Sequence, residues 1–199
     1  LDFQGSFVGF LTDFVAYGSC KTALGGIKAD INVKSPNDTL KYSGNVASNG
    51  FQLGQLIEAE PSVKAVAFDL NIDGKGTDIE TMAINGKGSL KSIELLGYQY
   101  KNVKIDGVLD RQIFEGNVAI NDSNVVLDFN GLVNFKTEIP QISCVSKVSK
   151  LHLDQLNLVP SDTNSELNAE FALDMKGKSL KGLFGNLAVT NLSYSNPRR

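Results

Sequence analysis

The feature that most limits what this chain can fold into is a period-two alternation of apolar and polar residues, broken only by short polar turns. Ile27, Ala29, Ile31 and Val33 alternate with Lys28, Asp30 and Asn32, and Val66, Phe68, Leu70 and Ile72 alternate with Ala67, Asp69 and Asn71. Side chains two apart share one face of a strand, so each set predicts one dry face and one wet face. Residues 103–135 repeat the pattern three times: Val103, Ile105, Gly107 and Leu109, then Phe114, Gly116, Val118 and Ile120, then Leu127, Phe129, Gly131, Val133 and Phe135. Their connectors, Asp110-Arg111-Gln112 and Asn121-Asp122-Ser123-Asn124, are too short for a crossover and consist of turn-tolerant residues. They predict a three-stranded antiparallel meander.

Helical periodicity is nearly absent; only Leu53–Glu58 and Leu153–Leu158 have apolar spacing that fits a single turn after a strand. Ser35-Pro36-Asn37-Asp38 and Pro160 to Ser165 predict polar turns or loops, and the tail from Ser195 to Arg199 predicts a frayed end. Glycine recurs on the apolar register at Gly5, Gly74, Gly86, Gly107, Gly116, Gly131 and Gly177. A glycine inside a strand weakens it, so the recurrence calls for a reason: relief of crowding in a tightly rolled sheet, sharp bending, or room for something lying against the backbone.

A weak internal repeat runs through the chain in constant order. Leu1-Asp2-Phe3-Gln4-Gly5 resembles Leu127-Asp128-Phe129-Asn130-Gly131, Phe51 to Leu56 resembles Leu151 to Leu156, and Phe68 to Gly74 resembles Phe171 to Gly177. The first copy is longer around Phe10 to Gly26, which predicts an extra hairpin with its turn at Gly25-Gly26. The expected fold is therefore all-β: an elongated, solenoid-like antiparallel meander rolled into a half-pipe with an apolar interior. It forms one segment over residues 1–199, built from two weakly similar units of about 1–100 and 101–199.

The 199 residues are 42% hydrophobic and 21% charged, with 22 acidic against 19 basic side chains. That balance excludes nucleic acid as a partner, because phosphate binding depends on clustered Lys and Arg, and the one dense basic feature, Arg198-Arg199, reads as a solvated tail. No run approaches the ~20 apolar residues of a membrane span. The alternation is already under way at Asp2 to Phe7 without an initiator Met, which predicts an interior piece of a longer polypeptide. Cys20 and Cys144 make neither a metal pattern nor a disulfide framework and are expected as small half-buried strand residues, one disulfide between them remaining open.

The residues offer little for chemistry. His152 is the only histidine and is expected on the polar side of a strand, with no second histidine to share a metal or a proton relay. Neither cysteine lies in a nucleophile motif. Carboxylates mostly alternate with core residues and so face water. Gly74-Lys75-Gly76-Thr77 and Gly86-Lys87-Gly88-Ser89 lack the spacing and following helix of phosphate loops. The chain reads as non-enzymatic, with no cofactor and no metal. What remains is apolar surface, which must close on itself, pack against another sheet or hold an apolar ligand. The candidate lining of such a groove is Phe3, Phe7, Val66, Phe68, Leu70, Ile72, Val103, Ile105, Phe114, Val118, Leu127, Phe129, Val133, Phe135, Phe171, Leu173 and Met175.

Phe7 to Gly18, Ile93 to Asn102, Phe114-Glu115-Gly116 with Ile120 to Asn124, and Leu127 to Gly131 resemble the TamB family, part of the AsmA-like group of envelope proteins. The resemblance covers nearly the whole chain. It implies a β-rich (β-taco-like) groove in a long periplasmic protein, anchored at the inner membrane and reaching toward the outer membrane, with this chain an interior fragment. Membranes would be contacted by parts outside this chain. The implied role is phospholipid movement between membranes, outer-membrane protein assembly beside a barrel partner, or both, with acyl chains along the apolar stripe and no catalytic residues. The alternatives are a chaperone-like module that pairs with strands of barrel or secreted proteins, and a structural spacer.

Overall fold

Alternation this persistent, with turns this short, produces a single sheet. The structure is a computed structural model that describes residues 2–57, 60, 62–178 and 182–196. The strands are β1 (Asp2–Phe10), β2 (Asp13–Thr22), β3 (Gly25–Lys34), β4 (Lys41–Gln52), β5 (Val63–Lys75), β6 (Ala83–Leu95), β7 (Tyr98–Asp110), β8 (Ile113–Asn121), β9 (Val126–Asn134), β10 (Gln141–Leu151), β11 (Glu166–Lys176) and β12 (Phe184–Ser195). Each pairs antiparallel with its sequence neighbours in the order β1 to β12, and the sheet is open, with β1 and β12 at its two edges. Among the described residues no second sheet covers either face.

The predicted 103–135 meander is β7–β8–β9. Arg111 and Gln112 close Asp110 onto Ile113 with φ of 47° and 66°. Positive φ at both central residues gives a two-residue turn the backbone twist that matches the flanking strands. The extra hairpin is β2–β3, but its turn is Ala23-Leu24; Gly25 and Gly26 already pair with Thr22 and Lys21 as the first residues of β3. Here the Thr22 hydroxyl, which accepts from Leu24 N–H and donates to Gly25 O, holds the turn two residues earlier than glycine content suggests. Pro36–Asp38 forms a 3-10 turn.

The first expected helical turn is α1, Leu53–Leu56, with Gly54 buried against β5; Glu58 lies outside the described residues. The second, at 153–158, is a run of turns with one helix-like bond, Leu156 N–H to His152 O at 3.2 Å. Leu1, Arg198 and Arg199 and the tail beyond Asn196 also lie outside the described residues, whereas Ser195 closes β12. The repeated segments occupy related places: Phe68 of β5 pairs with Ser48, Phe171 of β11 pairs with Ser146, and both serines are buried.

Candidate functional site

Directly opposed residues of an antiparallel ladder put their side chains on one face, so the register sorts the sheet into transverse rows. One row runs Gly9, Phe14, Val33, Tyr42, Gly74, Ile84, Leu109, Phe114, Val133, Ile142, Met175, Gly185. The next runs Phe7, Ala16, Ile31, Gly44, Ile72, Gly86, Gly107, Gly116, Gly131, Cys144, Leu173, Leu187. A third runs Gly5, Gly18, Ala29, Val46, Leu70, Gly88, Ile105, Val118, Phe129, Ser146, Phe171, Val189. Three rows cross all twelve strands without one charged side chain.

The opposite face is polar in the same transverse order. Asp30, Asn45, Asn71, Lys87, Asp106, Asn117 and Asn130 follow one another across seven strands. Lys87 Nζ meets the Asp106 carboxylate at 2.7 Å, and Asn130 donates its amide to Asn117 Oδ1 at 2.6 Å. The sheet is thus amphipathic across β3 to β9, whereas the same row of the opposite face continues into Tyr17 on β2 and into Val145, Ala172 and Ala188 on β10 to β12. On the apolar side Phe68, Leu70, Ile72, Phe129 and Phe171 are half-buried, with no second sheet above them among the described residues.

The glycines of the apolar face serve three different ends. At Gly74 an added Cβ would run into the ring of Tyr42, and at Gly107 into both the Phe114 ring and Glu115 O, each at 2.7 Å, so both seat an aromatic ring against bare backbone and Gly107 also lies against the neighbouring strand's main chain. At Gly116 it would meet Asp106 O and Gly107 Cα, both at 2.5 Å, so the neighbouring strand's main chain leaves room for no side chain. At Gly86 it would meet nothing within 4 Å. The four directly opposed glycines of β6–β9 therefore form a strip without side chains in the middle of the apolar face.

One end of this face is closed by the chain itself. Val125, Val148, Ala169 and Leu156 make a buried cluster, with Tyr98, Tyr100, Ile120, Leu127, Leu151, Leu158, Leu167 and Phe171 packed around it. Leu156, 1% exposed, comes from the 152–165 connection and is the plug. His152 lies just past β10 and not on a strand as expected: its backbone N–H donates to Asn124 O at 3.0 Å and its Nδ1 lies 3.2 Å from Ser165 O. The histidine thus ties the two ends of that connection to the β8–β9 turn.

A polar clamp stands beside the cluster. Asp122, buried, accepts from the Tyr98 hydroxyl at 2.5 Å and from the backbone N–H groups of Lys101 and Asn124 at 3.0 Å each. Burial pushes its carboxyl up, but these bonds and one from the Ser123 hydroxyl prevail, and its pKa lies below the ordinary carboxylate range. Burial, then the bond to Asp122, raises the Tyr98 phenol. Cys20 on β2 and Cys144 on β10 are both free thiols; burial pushes that of Cys144 up, partly offset by a hydrogen bond with Ser146.

Of the candidate lining, Phe7, Phe68, Leu70, Ile72, Val103, Ile105, Phe114, Val118, Leu127, Phe129, Val133, Phe171, Leu173 and Met175 fall on the one face through the register. Val66, two residues before Phe68 on β5, is buried beside the Phe51–Phe68 ring pair. Phe3 pairs with Cys20, its side chain lying outside the described residues. Phe135 lies past the end of β9, in the connection to β10, and is 53% exposed, so it stands outside the rows. The face also holds Ala16, Val33, Tyr42, Val46, Ile84 and Ile142, which the sequence reading left out. The alternation signalled Val33 already; on β10 it was masked because Ser146 and Cys144 occupy apolar positions.

Among the described residues no helix is long and apolar enough to cross a membrane, and no three His, Cys, Asp or Glu side chains come together as a metal cluster requires. Comparison with protein-family models, with curated proteins and with solved structures found no match to this chain.

Proposed function

We propose that the chain is a non-catalytic groove segment whose apolar face carries phospholipid acyl chains. The sheet would be bent along its glycine strip into a half-pipe, with headgroups wet at the opening. The observation that carries this reading is the three uncharged rows that cross twelve strands with no second sheet over them. Burial contributes about 0.8 kcal/mol per CH2, so many weak contacts hold an acyl chain without polar anchors and let it slide. The close approach at Gly116 supports the bend, since glycine kinks are how sheets curl. By the TamB-like motifs we place the segment in the periplasm, within an inner-membrane-anchored protein that passes lipid toward the outer membrane or assists a barrel-assembly partner there.

The test is native mass spectrometry of the gently purified chain, together with lipid transfer between phospholipid vesicles. Bound phospholipid that is lost in Ile105→Glu and in Val118→Glu, with strand content unchanged, is the expected result. A chain that binds no lipid and transfers none sinks the reading. The open edges of β1 and β12 favour a second one, a module that adds a client strand to its sheet. Protection of a barrel-protein peptide by a lipid-free chain would select it.

A further inference from the structure

Charges that face each other across an antiparallel ladder stabilise it when opposite and destabilise it when alike. The sheet follows this rule almost throughout: Asp2 opposes Lys21, Asp13 opposes Lys34, Lys87 opposes Asp106, and Lys147 opposes both Asp128 and Glu170. Among the described residues the rule is broken at two pairs, and both share one side chain. Lys41, the first residue of β4, opposes Lys34 at the end of β3 and Lys75 at the end of β5. All three lysines are exposed. They lie on the face opposite the uncharged rows, since each adjoins a member of the first of those rows, Val33, Tyr42 or Gly74.

Neighbouring groups neutralise this triad only in part. Lys34 Nζ lies 3.3 Å from the Asp13 carboxylate, but among the described residues neither Lys41 nor Lys75 forms an ion pair. Asp110, which follows Ala83 in the same row, has its carboxylate held by Arg111 at 3.0 Å. A cavity of about 530 Å3 opens over the lysines and is lined also by Asn32, Ser43, Asp73 and Asn85. Three ammonium groups against the carboxylates of Asp13 and Asp73 leave one positive charge in excess, beside a hydroxyl and two amides able to donate hydrogen bonds. A sequence that keeps such a local conflict, where every other opposed pair of charges agrees, points to a use for it.

We propose that the row of Lys34, Lys41 and Lys75 is an anion site that takes a phosphate group. Neighbouring strands lie about 5 Å apart, so ammonium groups on flexible four-carbon stems can converge on one tetrahedral anion, each donating to a different oxygen. A carboxylate offers only two oxygens and is better met by the planar fork of an arginine, whereas lysines meet phosphate as point charges. A bound phosphate turns the repulsion between the lysines into attraction to a shared partner, which accounts for a triad that otherwise costs stability. Inorganic phosphate and a phosphomonoester lipid headgroup share this chemistry. The proposal is independent of the acyl-chain reading, because the lysines project from the other face of the sheet.

Amide chemical shifts of the full chain test it, followed through a titration with inorganic phosphate and again with sodium chloride at matched ionic strength. Saturable shifts at Lys34, Lys41, Ser43 and Lys75 with phosphate alone are the expected result. Lys41→Gln should weaken them about tenfold, the worth of one charge-assisted hydrogen bond. The same variant should raise the unfolding midpoint in phosphate-free buffer, because it relieves both like-charged pairs. Lys28→Gln removes the same charge from the same face, at a residue opposed by Ser19 and Ala47, and should leave the phosphate shifts unchanged. Flotation with phosphatidylcholine vesicles, with and without phosphatidic acid, assigns the source. Binding that needs phosphatidic acid and is lost in Lys41→Gln identifies a headgroup, and phosphate shifts without flotation identify a soluble phosphate. Shifts that chloride reproduces, or that survive Lys41→Gln undiminished, overturn the proposal.

Discussion

Beside the 152–165 connection, Val148 of β10 interlocks with Val125, Ala169 and the fully buried Leu156. Four residues earlier on the same strand, Cys144 faces Gly131, and from there the row continues through Gly116, Gly107 and Gly86 with no side chain at all. Both stretches belong to the same apolar face, yet one is filled by its own residues and the other is kept bare. The difference assigns stability and shape to separate places. Packed carbon at the plugged end holds the sheet together, while the glycine strip leaves bare backbone at an entropic cost.

The largest effect that would break this contrast is at the plug. Leu156→Ala empties a site with no exposed surface into which neighbours could relax, and is expected to cost about 2–5 kcal/mol in denaturant unfolding. Hydrogen exchange should quicken first at the amides of Leu156 and Leu158, whose bonds to His152 O and Leu153 O hold the connection. A change under about 1 kcal/mol would mean that the cluster is not where stability resides. Gly116→Ala comes next, at about 1–3 kcal/mol, because the new methyl meets a carbonyl oxygen and a Cα of the neighbouring strand, neither of which can swing aside. A Gly116→Ala variant as stable as the wild type would remove the steric case for a crease at this row.

Strand alternation and short turns made the sheet legible in the sequence, down to the β7–β9 meander and most of the apolar face. Turn positions were less so: the β2–β3 hairpin turns at Ala23-Leu24 because the Thr22 hydroxyl organises it, a local hydrogen bond that outweighs the pull of two glycines. His152 read as a strand residue because leucines flank it, whereas the chain leaves the ladder there to tie Asn124 and Ser165 together. The plug itself was not readable. Leu156 is one leucine among several in a polar stretch, and its burial depends on residues from β7 to β11 that converge only through tertiary structure. The different uses of Gly74, Gly86 and Gly116 were invisible for the same reason, since each depends on what the adjacent strand places opposite.

A smaller effect sharpens the account of the plugged end. Asp122→Asn keeps the shape of the clamp but loses charge-assisted acceptance from Tyr98, Lys101 and Asn124, and should cost about 1–2 kcal/mol near neutral pH. The folded carboxyl titrates below its unfolded value of about 3.9, so its contribution is complete above that value and disappears as pH falls through the folded pKa. The difference between the two proteins should therefore shrink as acid unfolding is followed from about pH 5 downward. A gap that stays constant with pH would show that Asp122 acts through shape alone.

The smallest expected effect is at Gly86, in the same row as Gly116. A methyl there meets nothing within 4 Å and the backbone does not sit at positive φ. Gly86→Ala should accordingly leave stability within about 0.5 kcal/mol or raise it slightly, by reducing the freedom of the unfolded chain. Crowding between strands explains Gly116, and crowding together with ring seating explains Gly107, but neither explains a glycine beneath open space. If that space is where an acyl chain lies, Gly86→Leu should lower bound phospholipid in native mass spectra while strand content and unfolding midpoint hold. Undiminished lipid in the Gly86→Leu variant would mean that the bare strip does not hold the acyl chain, whose path would then have to run over the Leu70, Ile105 and Val118 row instead.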